Sequence, residues 1–198
     1  MQTNARLARR PAVQGLLRDR GDLLVVAGLG SAIWDVESAG ENPLNFYLLG
    51  AMGSVVPTAL GLALAQPSRR VLALGGDAEV MMMVGALATV GLRRPPNLAV
   101  VVLDNERFGE TGKQASHTGS GIDIAGIAES CGLPTVRRVL DQAGLDELRG
   151  LIHRGPGPVF ASVKIAAEMP PVVMPIRNGA IGMARFREAL LGHEALKV

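Results

Sequence analysis

The amino-acid sequence predicts an α/β fold in which a doubly wound, mostly parallel sheet carries helices on both faces. Three observations predict it: short apolar runs alternate with helical patterns, the runs lack polar alternation, and glycine-containing turns follow several of them. Continuous apolar runs are typical of parallel strands that are buried on both faces. The chain has 198 residues, of which 48% are hydrophobic and 19% charged. This composition excludes wholesale disorder and suits one domain with its own core.

The predicted elements follow from periodicity and from capping residues. Strands are predicted at residues 23–27, 71–74, 98–103 and 158–165, with a weaker strand at 135–140. Helices are predicted at residues 53–65, 79–92, 124–131, 142–153 and 184–191. Asp123 and Asp141 suit the N-caps of two of these helices, and Gly132 suits the position after a helix end. We predict a single domain, 1–198, with a solvated N-terminal helical arm at 1–20 and an irregular segment plus C-terminal helix at 168–198.

Composition also excludes several classes of function. The net charge is only +2 and aromatic residues are 3% of the chain, which gives little support to a nucleic-acid partner. The single cysteine excludes an internal disulfide and a multi-cysteine metal site. The longest apolar runs are shorter than the roughly 20 residues of a membrane-spanning helix. Because no secretory signal is recognisable either, we expect a cytoplasmic protein without a membrane partner.

Two acidic turns follow neighbouring predicted strands. Gly76-Asp77-Ala78 follows one strand, and Asp104-Asn105 follows the next, after a predicted buried helix. In doubly wound sheets ligands bind at the carboxyl ends of strands, so these turns should lie together with the turn at 28–31. Carboxylate and amide oxygens suit Mg²⁺, which often completes its shell with phosphate oxygens. Backbone N–H groups in the glycine turns and at the helix start could approach those phosphates.

This pattern resembles the thiamine diphosphate motif, Gly-Asp-Gly followed some two dozen residues later by Asn-Asn. Ala78 stands in place of the third glycine and Asp104 in place of the first asparagine. Residues 49–61 resemble a second block of the same family, Gly-x-Met-Gly followed by Pro-Ala-Ala-x-Gly. Gly30-Ser31 resembles a small turn that also holds the diphosphate. The resemblance to the diphosphate-binding domain of thiamine-diphosphate-dependent enzymes covers about residues 20–165.

The resemblance implies roles for individual residues. It implies that Asp77, Asn105 and the carbonyl of Arg107 bind Mg²⁺ together with two diphosphate oxygens and a water molecule. It implies that the Gly50 carbonyl accepts a hydrogen bond from the cofactor's 4′-amino group and that Met52 is the wedge that bends the cofactor. The cofactor-binding residues that it implies are Gly30, Ser31, Gly50, Met52, Gly76, Asp77, Ala78, Glu79, Asn105, Phe108, Gly109 and Glu110. For Glu79 we expect the backbone N–H, and not the carboxylate, to face the diphosphate.

Residues 103–114 most resemble the sulfopyruvate and phosphonopyruvate decarboxylases. This resemblance implies a 2-oxoacid decarboxylase that acts on a small anionic substrate and releases CO₂ and an aldehyde. Lys113, Gln114 and His117 could recognise the substrate's anionic group, or could belong to a solvated loop. Enzymes of this class use a second, pyrimidine-binding domain whose glutamate activates the cofactor. Since 198 residues accommodate only one such domain, we expect the second on a partner subunit.

Three other functions remain open at this point. An acetolactate-synthase-like carboligase subunit would share every motif above. A noncatalytic, cofactor-holding regulatory subunit is disfavoured by the intact Asp77 and Asn105. A plain nucleotide-binding module would bind a nucleotide in preference to thiamine diphosphate.

Overall fold

A six-stranded parallel sheet forms the centre of the molecule, which is described here by a computed structural model over residues 6–196. The strand order is β2-β1-β3-β4-β8-β7, and every neighbouring pair is parallel. These strands are β1 (Leu24–Ala27), β2 (Asn45–Tyr47), β3 (Val71–Gly76), β4 (Leu98–Asp104), β7 (Thr135–Val139) and β8 (Val159–Lys164). A two-residue antiparallel ribbon joins β5 (Arg107–Phe108) to β6 (Gln114–Ala115). The predicted α/β fold class is confirmed.

Eight α-helices cover the two faces of the sheet within the described range. They are α1 (Arg9–Leu17), α2 (Ser31–Ser38), α3 (Val55–Ala65), α4 (Asp77–Met82), α5 (Gly85–Arg93), α6 (Ile124–Ser130), α7 (Gln142–Arg154) and α8 (Gly179–Leu191). Buried side chains of α1, α2 and α7 form one apolar cluster with one face of the sheet. Buried side chains of α3 to α6 and of α8 form a second cluster with the other face. The sheet is therefore covered on both sides, as continuous apolar strands require.

The strand register brings the functional turns to one edge of the sheet. Gly76, the last residue of β3, lies opposite Leu103 of β4, and Asp104 lies opposite Lys164 of β8. Ala27, the last residue of β1, lies opposite Leu74 of β3. The turns that follow β1, β3 and β4 therefore emerge side by side.

The capping predictions are confirmed. The Asp123 carboxylate accepts a hydrogen bond from the backbone N–H of Ala125 at the start of α6. Asp141 accepts one from the N–H of Gly144 at the start of α7. Gly132, which follows α6, has a φ of +79°, a conformation that favours glycine.

The predicted helix at 79–92 is two helices, and the expectation of one continuous buried helix is wrong. α4 ends at Met82, and Met83 has φ −127° and ψ 47°, which is outside the helical region. Met82 and Met83 are 64% and 46% exposed, so this methionine run does not belong wholly to the core. A sequence that is apolar on every side carries no periodic signal to mark the break.

Several short elements lie in stretches for which no element was predicted. α2 and β2 occupy residues between the first two predicted strands, and the β5–β6 ribbon lies between the strand predicted at 98–103 and the helix predicted at 124–131. Residues 168–175 form neither helix nor strand, as predicted. α8 begins at Gly179, five residues before its predicted start, with the side chain of Asn178 as its N-cap.

The N-terminal arm is packed against the domain, so the expectation of a solvated helix is wrong for α1. Its residues Ala12, Val13, Leu16 and Leu17 are buried in the cluster with α2 and α7. Arg9 is 1% exposed and forms a buried ion pair with Asp35 of α2, to which Arg10 Nε also bonds at 3.3 Å. The first five residues of the predicted arm lie outside the described range. In the described range, no helix is both long and apolar enough to span a membrane.

The Arg9–Asp35 pair yields a stability prediction. Asp35→Ala leaves the Arg9 guanidinium buried without its carboxylate, and we expect a loss of about 3–5 kcal/mol in the free energy of unfolding. Urea denaturation measures this loss. Glu41→Ala is the matched control, because it removes the exposed 2.7 Å pair with Arg185 and should cost at most about 1 kcal/mol. Equal losses in the two variants would contradict the assignment.

Candidate active site

A cleft of about 250 Å³ opens at the carboxyl edge of the sheet, where the turns after β1, β3 and β4 meet the segment before α3. Most of the predicted site residues line this one cleft: Gly30, Ser31, Met52, Gly76, Asp77, Ala78, Glu79, Asn105, Arg107, Phe108, Gly109 and Glu110. These residues come from four separate segments of the chain. Their convergence is a consequence of the parallel register described above.

Four predicted residues do not line the cleft. Gly50 is exposed and lies two residues before Met52. Lys113, Gln114 and His117 are exposed as well, and the Gln114 side chain donates to the Thr111 carbonyl at 2.9 Å. The His117 ring meets the Phe108 ring edge-on, with centroids 6.4 Å apart. A role of these residues in catalysis or substrate recognition stays a prediction.

The turn after β1 brings glycine backbone against a carboxylate. Gly30 has a φ of +88°, and a Cβ atom there would lie 2.3 Å from Oε1 of Glu110. Only glycine fits both the backbone conformation and this contact. Ser31 follows as the first residue of α2, so the N-terminus of that helix lies at the cleft.

Asp77 is the most tightly held acidic group of the cleft. It is 1% exposed, and its Oδ2 accepts hydrogen bonds from the hydroxyls of Ser116 and of Thr118, the latter at 2.8 Å. Burial raises the pKa of Asp77, although the two hydroxyl hydrogen bonds oppose this shift. Because both contacts use Oδ2, the other carboxylate oxygen is the one that could face a cation in the cleft.

Thr118 connects Asp77 to a second buried acid. Its Oγ1 lies 2.8 Å from Oδ2 of Asp77 and 2.7 Å from Oδ1 of Asp104. Asp104 in turn forms a 2.7 Å ion pair with Lys164, which also bonds to Glu106 at 2.8 Å. The carboxylate of Asp104 is thus paired inside the protein, which favours Asn105 over Asp104 as the cleft-facing oxygen donor.

Sequence reasoning did not assign roles to Ser116, Thr118 or Lys164. The available signal was a pair of hydroxyl residues, two apart, in the glycine-rich loop after Asn105. Such a pair is common in solvated loops, so it did not distinguish a buried network from an exposed turn. Only the return of this loop to the strand ends places both hydroxyls within reach of Asp77.

Asn105 is oriented by a local turn. Its Oδ1 accepts a 2.9 Å hydrogen bond from the backbone N–H of Arg107, as asparagine side chains commonly do in turns. Glu106, between them, has a φ of +62°. This turn holds the Asn105 amide at the cleft beside Asp77.

The N-terminal arm also reaches the cleft, which the sequence did not indicate. Arg9 lines it, and the backbone N–H of Arg9 donates to Oε1 of Glu168 at 2.7 Å. Arg10 donates to the Pro171 carbonyl at 2.6 Å. These contacts tie α1 to the irregular segment after β8, whose Met169 completes the wall.

Comparison with known protein families agrees with this geometry. Residues 30–163 match the model of the thiamine pyrophosphate enzyme C-terminal TPP binding domain. The chain belongs to this family. The matched range contains every segment that builds the cleft except α1 and the segment after β8.

Individual relatives are decarboxylases and synthases. The chain is 35% identical to the sulfopyruvate decarboxylase subunit beta of Methanothermobacter thermautotrophicus. The 159 aligned residues cover 80% of this chain and 82% of that subunit. It is 33% identical to the phosphonopyruvate decarboxylase of Streptomyces viridochromogenes over 81% of this chain but 40% of that protein. It is 32% identical to the acetolactate synthase isozyme 1 large subunit of Escherichia coli over 61% of this chain and 23% of that protein.

The hydrogen bonds of Thr118 with Asp77 and Asp104 can be tested by measuring the free energy of unfolding alone. Thr118→Val keeps the shape but leaves buried carboxylate oxygens without their hydroxyl partner, so the free energy of unfolding should fall by about 1–3 kcal/mol. Thr118→Ser retains the hydroxyl and should lose less. Chemical denaturation of both variants is the measurement, and a loss in Thr118→Ser as large as the loss in Thr118→Val would mean that the hydroxyl contributes no more than the methyl group.

Proposed function

We propose that this chain is the diphosphate-binding subunit of a thiamine-diphosphate- and Mg²⁺-dependent 2-oxoacid decarboxylase. Its substrate is a small 2-oxoacid with a second anionic group, similar to sulfopyruvate or phosphonopyruvate, and its products are CO₂ and an aldehyde. The observation that carries the proposal is the pairing of Asp77 with Asn105 in one cleft of a thiamine pyrophosphate family member. Coverage of 82% and 85% of two sulfopyruvate decarboxylase beta subunits supports the same assignment.

The oxygen donors of the cleft fit a magnesium ion that binds together with a diphosphate. Asp77 offers a carboxylate, Asn105 an amide oxygen and Arg107 a backbone carbonyl, all of which are hard donors. No cluster of three or more His, Cys, Asp or Glu residues that could hold a metal occurs between residues 6 and 196. A donor set this small suits Mg²⁺, which is usually bound by one or two carboxylates plus phosphate oxygens and water.

The diphosphate would bind where helix N-termini and glycine turns meet. Ser31 begins α2, and Gly76 directly precedes α4, whose first residue is Asp77. Free N–H groups at a helix start favour an anion. Phe108, Gly109 and Glu110 also line the cleft.

The cofactor, when bound, accepts the electron pair that is released as a 2-oxoacid loses CO₂. The protein's part is to orient the reactants and to exclude water. Met52 is half-buried at the cleft and offers a flexible apolar surface against which a bent cofactor can pack. The Gly50 carbonyl is proposed to accept a hydrogen bond from the cofactor's amino group.

A partner subunit would complete the site. In this proposal the partner carries the pyrimidine-binding domain and supplies the activating glutamate. Met82, which lines the cleft, and the following Met83 are exposed and provide apolar surface for such a contact. Pairing of such heterodimers into a larger assembly and a cytoplasmic location stay predictions.

The carboligase alternative shares this cleft and differs in its product. Acetolactate synthase relatives cover 50–61% of the chain, compared with 80% for the sulfopyruvate decarboxylase subunit named above. We therefore favour the decarboxylase. A product assay separates the two, since an aldehyde marks decarboxylation and an acetohydroxyacid marks carboligation.

The purified chain alone should be inactive with saturating thiamine diphosphate and Mg²⁺, and should gain activity with its native pyrimidine-binding partner. The lone chain would act without the activating glutamate that the partner is proposed to supply. Loss of such a general acid–base group typically lowers a rate by about 10²–10⁴-fold. The measurement is CO₂ release from sulfopyruvate, phosphonopyruvate and pyruvate, with and without the co-purified partner. Full activity of the lone chain would refute the need for a partner, and no activity with the partner would favour the noncatalytic alternative.

Asp77→Ala and Asn105→Ala should each abolish Mg²⁺-dependent binding of thiamine diphosphate by the assembled enzyme. Each removes one of the few protein oxygens that would hold a cation bridging protein and diphosphate. Isothermal titration calorimetry measures the affinity, and circular dichroism checks that the variants remain folded. Asp146→Ala, on the outer surface of α7, is a control that should bind normally. Unchanged affinity in the first two variants would refute the metal site.

A further inference from the structure

The carboxylate of Glu79 is buried beneath the cleft among three chain segments. Glu79 is 3% exposed, and neither carboxylate oxygen has a hydrogen-bond partner in the described part of the chain. A Cβ atom added to Gly28 would lie 1.9 Å from Oε2 of Glu79, and one added to Gly75 would lie 3.0 Å from it. The carboxylate therefore fills space that is available only because residue 28 is glycine.

Backbone amides of several segments lie around this carboxylate. The N–H groups of Leu29, Gly53, Val55 and Gly76 each lower the pKa of Glu79, but burial outweighs them and raises it to about 7. Leu29 belongs to the turn after β1, Gly53 and Val55 to the start of α3, and Gly76 to the end of β3. A single side chain thus lies at the junction of three segments that build the cleft.

The start of α3 gives a separate indication that this anion is needed. Ser54 precedes the helix, but its side chain makes no capping hydrogen bond, and no acidic residue occupies the first turn. The first N–H groups of a helix require acceptors or a nearby negative charge. A Cβ atom added to Gly75 would lie 2.9 Å from Cγ1 of Val55, the first residue of α3, and 3.0 Å from Oε2 of Glu79. The carboxylate therefore lies close to the start of α3, although Glu79 belongs to α4.

We infer that Glu79 is a positioning residue, whose side chain joins the turn of the metal-binding Asp77 to the segment that carries Gly50 and Met52. It lies two residues after Asp77, and its Oε2 lies beside Gly75 next to Val55, the first residue of α3. Its removal would leave a buried void between these segments and would take a carboxylate away from their nearby amides. The consequence for the cofactor rests on the proposed function, whereas the mechanical link does not.

Hydrogen exchange of the full chain tests the mechanical link directly. We expect Glu79→Ala to raise exchange in peptides that span residues 50–56, while peptides of α7 stay as in the wild type. Glu79→Gln retains the shape and one acceptor and should restore most of the protection. In the assembled enzyme, Glu79→Ala should weaken thiamine diphosphate binding by about 10- to 100-fold, as outer-shell substitutions typically do.

A second pair of variants tests the same contact from the opposite side. Gly28→Ala should displace the Glu79 side chain and match the exchange pattern of Glu79→Ala. In the double variant Gly28→Ala/Glu79→Ala the two effects should not add, because the obstructing carboxylate is gone. Gly85→Ala is the control, since a Cβ atom at this exposed helix start meets nothing within 4 Å.

The outcomes separate the inference from the proposed function. Unchanged exchange at 50–56 in both Glu79→Ala and Gly28→Ala, or strictly additive effects, would overturn the positioning role. If exchange at 50–56 is altered in the variants but the wild-type assembly does not bind thiamine diphosphate, the link is supported and the proposed function is refuted. If Glu79→Ala does not fold, Glu79→Gln and Gly28→Ala supply the same comparison.

Discussion

Crowding of negative charge at the carboxyl edge of the sheet is the constraint on which the site depends. Asp77, Glu79 and Asp104 are each at most 3% exposed, and a buried charge is costly unless it is paired or hydrogen-bonded. Lys164 pairs with Asp104, backbone amides lie near Glu79, and the side-chain groups that donate to Asp77 are the hydroxyls of Ser116 and Thr118. Within residues 6–196 no Lys or Arg forms an ion pair with Asp77, so a bound cation is the group that would best balance it. This is the physical reason why the proposed cofactor complex includes magnesium.

The same edge explains which parts of the molecule the sequence could predict. The strands β1, β3, β4 and β8 consist mainly of buried apolar residues, and their parallel order brings Gly30, Asp77 and Asn105 together. These features follow from patterns that are local along the chain. β2 has three residues at the edge of the sheet, and too little of it is buried to produce a pattern. The break between α4 and α5 is hidden because the residues on both sides of it are apolar.

The site residues that sequence reasoning missed share one physical property. Ser116, Thr118, Lys164 and Arg9 act through contacts with residues at least 14 positions away, and none lies in a repeating pattern. Arg9 illustrates the problem, because an arginine in a basic N-terminal stretch normally indicates a solvated surface. Its burial depends on Asp35, which lies in a helix that the sequence did not predict. Polar networks of this kind become visible only when the tertiary structure brings their members together.

Two glutamates, Glu79 and Glu110, line the cleft, and their positions bear on which domain supplies the activating glutamate of the proposed mechanism. Glu79 lies against Gly28 and Glu110 approaches Gly30, so both lie at the turn after β1. In the proposed mechanism the activating glutamate comes from another domain. The relatives differ in how much of their length the chain matches, which is 82% of a beta subunit but 40% of a phosphonopyruvate decarboxylase. The cleft that we propose for the diphosphate is thus built within this domain, whereas we propose that the activating group comes from the domain that covers it.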